Sequence, residues 1–91
     1  MENKLQKLKD HIVELGYEDV TVFDSPDYVD AYIGMSDDGR AVYSFDRMVE
    51  CLITEDGMTY EEAEDWVSYN TARAIPYMGE CAPILMYSRE G

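Results

Sequence analysis

Three stretches of the chain repeat hydrophobic residues at the three-and-four spacing of an amphipathic helix. The first covers residues 2–15 and is followed by Gly16, a residue typical of a helix C-terminus. The second begins after Ser44, which can cap a helix, and ends at Gly57. The third covers residues 60–74 and is stopped by Pro76. The stripe residues are Leu5, Leu8, Ile12 and Leu15 in the first helix and Phe45, Met48, Val49, Leu52 and Ile53 in the second.

The start of the third helix carries the sharpest local signal. The run Thr59-Tyr60-Glu61-Glu62 fits a capping box, in which the threonine oxygen and the glutamate carboxylate each accept a backbone N–H. The pattern therefore predicts a helix that begins at Tyr60.

Extended stretches rich in β-branched and aromatic residues predict four strands, at residues 20–23, 28–35, 41–43 and 83–87. Asp24-Ser25-Pro26-Asp27 is a turn, and Ser36-Asp37-Asp38-Gly39 is a hairpin loop. The hairpin predicts antiparallel pairing of the second and third strands. The order α-β-β-β-α-α-β favours the α+β class, with three helices and a small antiparallel sheet in a single domain over residues 1–91.

Charge changes the picture most. The 91 residues include 20 acidic and 7 basic ones, for a formal net charge of −13. The three lysines all lie within residues 1–9, so residues 10–91 carry 19 acids against four arginines, a net charge of −15. Direct binding to nucleic acid or to an anionic membrane surface needs a basic surface. We therefore expect this chain to bind neither of them directly.

Cysteine usage and targeting signals predict a cytoplasmic protein. Cys51 and Cys81 do not make a disulfide framework, with a single bridge between them as the alternative, and no signal segment is recognised at the N-terminus. The longest apolar run, residues 82–87, is too short to span a membrane. No zinc or calcium ligand spacing, phosphate loop or nucleophile motif is present, so no metal, no cofactor and no catalytic residue is expected.

The candidate partner-binding residues lie on the third helix. Glu61, Glu62, Glu64 and Asp65 (the acidic face) spread over one arc of the helix, and they follow Glu55 and Asp56 with no base between them. Acids in a first turn also complement the helix dipole, so a solvated face is the alternative interpretation. As a functional surface, the acidic face imitates the row of charge on a nucleic acid and would bind a basic protein.

Aromatic residues beside the acidic face are candidate anchors. Trp66 and Tyr69 have the side chains that dominate interface energetics, although packing at the edge of the core is the alternative. Asn70 falls on the core stripe with Ala63 and Val67, so it is expected to be buried and hydrogen-bonded. With Tyr77 it forms either a structural clamp or the lining of a ligand pocket.

Part of the chain resembles a known group of proteins. The residues concerned are Ala41-Val42-Tyr43, Met58-Thr59-Tyr60-Glu61-Glu62-Ala63, Tyr69-Asn70-Thr71, Pro76-Tyr77-Met78-Gly79 and Ala82-Pro83-Ile84. This half of the chain resembles short acidic proteins encoded by phages and by prophage-bearing Gram-positive bacteria. The resemblance implies an accessory protein of a mobile element, a class that often inhibits or adapts host machinery, and it implies no particular activity.

Three functional hypotheses follow. The leading one is a non-enzymatic interaction module whose acidic face binds a protein with a basic surface, such as a nucleic-acid-binding or defence protein. The second is a homodimer or larger homo-oligomer formed through exposed strand edges and aromatic residues. The third is a small-ligand binder that uses the region of Asn70 and Tyr77.

Overall fold

The described part of the chain combines three α-helices with three short strands. The computed structural model describes residues 4–18, 20–23 and 28–87. In chain order the elements are helix α1 (Lys4–Glu14), a 3₁₀ turn (Val29–Ala31), strands β1 (Tyr32–Met35) and β2 (Ala41–Ser44), helices α2 (Phe45–Asp56) and α3 (Tyr60–Trp66), a π-helical segment (Val67–Thr71), a 3₁₀ helix (Ala72–Tyr77) and strand β3 (Ile84–Met86). The α+β class predicted from the sequence is confirmed.

The helix ends follow the local signals. The Ser44 side chain accepts the backbone N–H of Arg47 at 3.3 Å and so caps α2. The chain leaves α1 and α2 at Gly16 and Gly57, whose φ angles of +95° and +68° suit glycine. The predicted helix start at Glu2 and the predicted turn at residues 24–27 lie outside the described residues. No helix within 4–18, 20–23 and 28–87 has the length and apolar character that a bilayer crossing requires.

The sheet is mixed, which corrects the expectation of a purely antiparallel one. Strands β1 and β2 form the predicted antiparallel hairpin, with Tyr32 opposite Tyr43 and Met35 opposite Ala41. Strand β3 lies on the other side of β2 and runs parallel to it. Parallel strands need a long crossover connection, and here α2, α3 and the segments after them supply it.

The hairpin is tied to the segment that precedes β3. At the base of its loop, the Ser36 N–H donates to the Arg40 carbonyl at 2.7 Å. The Arg40 side chain then reaches across, and its Nε donates to the carbonyl of Ala82 at 2.7 Å. This contact holds the end of the crossover against the hairpin, so β3 enters the sheet beside β2.

The predicted strand at residues 20–23 is wrong. These residues lie in no strand, and Phe23 is buried in an aromatic cluster instead. The Phe23 ring lies 5.5 Å from the Tyr28 ring and 4.9 Å from the Tyr43 ring, in edge-to-face arrangements. The β-rich composition therefore reflects packing of side chains on the core and not a ladder of backbone hydrogen bonds.

The third helix changes geometry midway, which corrects the expected burial of Asn70. It is α-helical only to Trp66, and the π-helical segment then follows, with the Ala72 N–H donating to the Val67 carbonyl. A π turn contains one residue more than an α turn, so it rotates the following side chains around the axis. As a result Asn70 is exposed, and Thr71 is the residue that is buried.

Thr71 is held by a buried hydrogen bond to Tyr28. The two hydroxyl oxygens are 2.8 Å apart, and the exposed fractions of the two residues are 1% for Tyr28 and 5% for Thr71. Tyr28 has a left-handed backbone conformation, with φ of 49° and ψ of 30°. A non-glycine residue rarely adopts this conformation, so burial and the hydrogen bond must offset its cost.

We expect Thr71→Val to lower the free energy of unfolding by about 1–3 kcal/mol, because it leaves the Tyr28 hydroxyl buried without a partner. Tyr28→Phe strands the Thr71 hydroxyl in the same way. The double variant removes both polar groups, so it should be more stable than the sum of the single losses predicts, by about 1 kcal/mol. Urea unfolding of the four proteins gives this coupling, and strict additivity would contradict it.

We also expect the stability to fall in alkaline solution. Burial raises the pKa of Tyr28 above 10.0, against the opposing effect of the Thr71 hydrogen bond, and burial and Tyr17 raise the pKa of Tyr32. The folded state then holds these protons more tightly than the unfolded state. Their contribution to stability is full below pH 10 and is lost as the pH rises beyond that value.

Chemical unfolding at a series of pH values checks this expectation. Tyr28→Phe should flatten the decline above about pH 10, and Tyr32 should account for part of what remains. Tyr77→Phe removes a hydroxyl from an exposed side chain and should retain the wild-type decline. Equal slopes for Tyr28→Phe and the wild type would contradict the assignment.

Candidate functional site

The acidic face stands on a well-anchored helix start. The Thr59 N–H donates to Glu62 Oε1 at 3.0 Å, and the Glu62 N–H donates to Thr59 Oγ1 at 3.2 Å. This is the predicted capping box, and it satisfies two of the backbone donors that a helix start leaves unpaired. On the opposite side of the helix, Ala63 and Val67 are fully buried in the core. The carboxylates are therefore displayed from a fixed backbone.

The four carboxylates of the acidic face have different environments. Glu61, Glu62 and Asp65 are exposed, and Glu64 is half-buried. The Thr59 backbone and then its side chain donate hydrogen bonds that lower the pKa of Glu62. The charge of Glu64 and a hydrogen bond from the Tyr60 hydroxyl raise the pKa of Tyr60. Glu62 thus forms part of the cap, and Glu64 accepts a hydrogen bond from the Tyr60 hydroxyl. The carboxylates of Glu61 and Asp65 are exposed to solvent.

The charge of the acidic face is not neutralised within the described part of the chain. The ion pairs there join Lys4 to Asp30 at 3.4 Å and Arg40 to Asp38 at 3.9 Å, both away from α3. Like charges three and four residues apart on a helix destabilise it. The acidic face therefore keeps an electrostatic cost that a cationic partner would relieve.

The candidate anchors differ in exposure. Trp66 is half-buried and packs against the core, so only part of its ring is available to a partner. Tyr69 is 66% exposed, and the guanidinium carbon of Arg73 lies 5.8 Å from the centre of its ring. Sequence reasoning missed Arg73, although its i+4 spacing from Tyr69 is the signal that places a cation over a ring on one helix face.

Asn70 and Tyr77 line neither of two clefts formed by residues that the structure describes. Both residues are exposed, and Tyr77 is 90% exposed. The larger cleft has a volume of about 410 Å³ and is lined by Lys4, Asp30, Arg47, Glu50, Cys51, Thr54 and Glu55. The smaller one, of about 200 Å³, is lined by Lys9, Ile12, Val13, Tyr17, Val20 and Val22.

The larger cleft is polar and of mixed charge. It brings Lys4 and Arg47 next to Asp30, Glu50 and Glu55, so cations and carboxylates balance to within one charge. Its thiol, Cys51, is half-buried. In residues 4–18, 20–23 and 28–87, no group of three or more His, Cys, Asp or Glu side chains is placed to hold a metal ion. Because the charges that line the cleft nearly cancel, the exposed acidic face is the stronger candidate for a functional surface.

Comparison with known proteins adds no relative: no family model matches the chain, and neither a curated protein nor a solved structure matches it. The resemblance to phage-type acidic proteins stays a prediction.

We expect the capping box to make the stability depend on acid pH. Because hydrogen bonds from Thr59 hold the pKa of Glu62 below 4.5, the stabilisation is full above pH 4.5 and is lost as the pH falls below it. Glu62→Gln should reduce this loss, whereas Glu61→Gln removes a neighbouring exposed carboxylate and should preserve it. Thermal unfolding between about pH 3 and pH 7 provides the comparison. An identical acid dependence in the wild type and Glu62→Gln would refute this role for the cap.

Proposed function

We propose that the protein is a non-enzymatic interaction module that binds a basic surface on a protein partner. The observation that carries the proposal is the uncompensated charge of Glu61, Glu64 and Asp65 on a helix whose start is capped and whose inner side is buried. A preorganised charged surface loses little conformational entropy when a partner binds. The fixed backbone of α3 thus suits a recognition surface better than a mobile acidic tail would.

Electrostatics favours a fast and salt-sensitive association. The formal net charge of −13 on 91 residues attracts a basic partner over distances set by the ionic strength. Grooves that bind nucleic acid are built for a dense row of negative charge, so the acidic face can compete for them. A nucleic-acid-binding or defence protein is the partner class we propose, with this chain acting as an inhibitor or adaptor.

Tyr69 and Arg73 supply a contact of a different kind beside the carboxylates. Tyrosine and arginine are enriched among the residues that contribute most to interface energies. The exposed Tyr69 ring would pack on the partner, with the Arg73 guanidinium stacked against it. Half-buried Trp66 would contribute the rim of its ring and not a full anchor.

Two further points bear on where the protein acts and on its partner. Cys51 and Cys81 are both thiols, which fits the reducing cytoplasm where we place the protein. The phage-type resemblance that the sequence predicts leads us to propose a partner in the host machinery.

We expect the double reversal Glu64→Lys/Asp65→Lys to abolish capture of the partner. The experiment immobilises the full chain, applies a bacterial lysate at low salt and elutes in steps with salt and with duplex DNA. The expected result is a basic protein that both eluents displace, because salt screens the attraction and DNA competes for the same groove.

The matched control is Glu14→Lys/Glu18→Lys, which changes the net charge equally at two exposed acids at and just beyond the end of α1. This variant should still capture the protein, which should elute at only a slightly lower salt concentration than from the wild type. If both double variants capture the protein equally well, the acidic face is not the binding surface. If both lose it equally, net charge alone accounts for binding.

A further inference from the structure

The larger cleft lies along one stripe of α2. Five of its lining residues recur at positions i, i+3, i+4, i+7 and i+8 of that helix, a spacing that places side chains on one face. They are Arg47, Glu50, Cys51, Thr54 and Glu55. Lys4 at the start of α1 and Asp30 in the 3₁₀ turn complete the lining, and that turn packs on α2. The volume of about 410 Å³ falls in the range of small-molecule sites, roughly 300–1,000 Å³.

The charged groups of the cleft do not all neutralise one another. Lys4 and Asp30 form an ion pair, with 3.4 Å between Nζ and Oδ2. In the described ranges of the chain, by contrast, no ion pair includes Arg47, Glu50 or Glu55. A guanidinium and two carboxylates therefore border the same concave space with their charges available to a ligand.

The signs of these charges select the kind of ligand. A simple anion would meet three carboxylates on a chain whose formal net charge is −13. A simple cation would meet Lys4 and Arg47. A molecule that carries both an ammonium and a carboxylate has a counter-charge for each side chain, and charge-assisted hydrogen bonds of this kind are stronger than those between neutral groups. The lining is therefore complementary to a zwitterion.

We propose that the cleft binds a zwitterion of dipeptide size, with the ligand carboxylate on Arg47 and the ligand ammonium on Glu50. These two residues lie three positions apart, about 4.5 Å along the helix axis. The two charges of an amino acid are attached to a single carbon, whereas those of a dipeptide are attached to Cα atoms about 3.8 Å apart. A dipeptide therefore reaches both turns of α2 at once. Glu55 adds negative potential at the ammonium end, and the Thr54 hydroxyl offers a hydrogen bond to the peptide group.

This site is separate from the acidic face, which begins at Glu61 on α3. A dipeptide zwitterion has no net charge, so the formal charge of −13 neither attracts nor repels it at long range. The proposal goes beyond the proposed function, and either can fail without the other.

Nuclear magnetic resonance titration of the full chain with alanylalanine tests the site. We expect saturable shifts of the backbone amides of α2 between residues 47 and 55. The N-acetylated and the C-amidated forms of the dipeptide each lack one charge, so both should bind at least about tenfold more weakly. The absence of saturable shifts in α2, or equal affinity for the blocked and unblocked forms, overturns the proposal.

Two variants of α2 remove the proposed contacts one at a time. Arg47→Gln and Glu50→Gln should each raise the Kd of alanylalanine at least about fivefold, because each deletes one charge-assisted contact. The matched controls Lys9→Gln and Glu14→Gln remove the same charges from exposed side chains of α1 outside the cleft, and should retain the wild-type Kd. Equal effects in the variants and their controls would contradict the assignment.

The two thiols of the chain supply a readout that needs no variant. Both are half-buried, but Cys51 lines the cleft and Cys81 does not. At about ten times its Kd, alanylalanine should slow the alkylation of Cys51 by iodoacetamide several-fold and leave Cys81 unchanged, as peptide mass spectrometry will show. An unchanged rate at Cys51, or equal slowing of both thiols, counts against a ligand in this cleft.

Discussion

The hydrogen bond between the hydroxyls of Tyr28 and Thr71 is the contact on which the arrangement of the molecule depends. It joins two positions 43 residues apart, one at the entry to the sheet and one in the third helical region. At both ends the backbone departs from the common conformations, with a left-handed φ at Tyr28 and a π-helical segment that ends at Thr71. Neither departure is favourable locally, so each persists because the buried hydroxyl pair and the aromatic cluster around it stabilise the combination.

The direction of the acidic face follows from the buried side of α3. Ala63 in α3 and Val67 just after it are buried in the core, and the Tyr28–Thr71 contact fixes the rotation of the helical region that follows Trp66. Because the inner side of the helix packs on the core, the carboxylates of Glu61 and Asp65 lie on its outer side, in solvent. The electrostatic surface is thus a consequence of core packing. A change in the core would redirect charge without altering a single charged residue.

Structural features that depend on neighbouring residues were predictable from the sequence, and features that depend on distant contacts were not. The capping box at Thr59 and the glycines at the helix ends act within a few residues, so the pattern alone located them. The exposure of Asn70 was not predictable, because a wheel of constant pitch cannot anticipate a π turn that a bond to Tyr28 stabilises. The parallel direction of β3 is a property of the crossover as a whole, and strand propensity says nothing about it. For the site, charge and spacing indicated the acidic face, while the contact of Arg73 with the Tyr69 ring was missed although its i+4 spacing could have indicated it.

The parallel pairing of β2 with β3 constrains the order in which the molecule folds. Val42 and Ile84 are partners across about forty residues, so closing that loop costs more entropy than closing the hairpin between β1 and β2. The hairpin and the two capped helices can form from neighbouring residues, whereas β3 finds its place only when the helices have brought the chain back to the sheet. Until then, both sides of β3 lack a strand, and the docking of Arg40 onto the Ala82 carbonyl marks the arrival of the last strand. Pairing of β3 with β2 is therefore the step of sheet assembly that closes the longest loop.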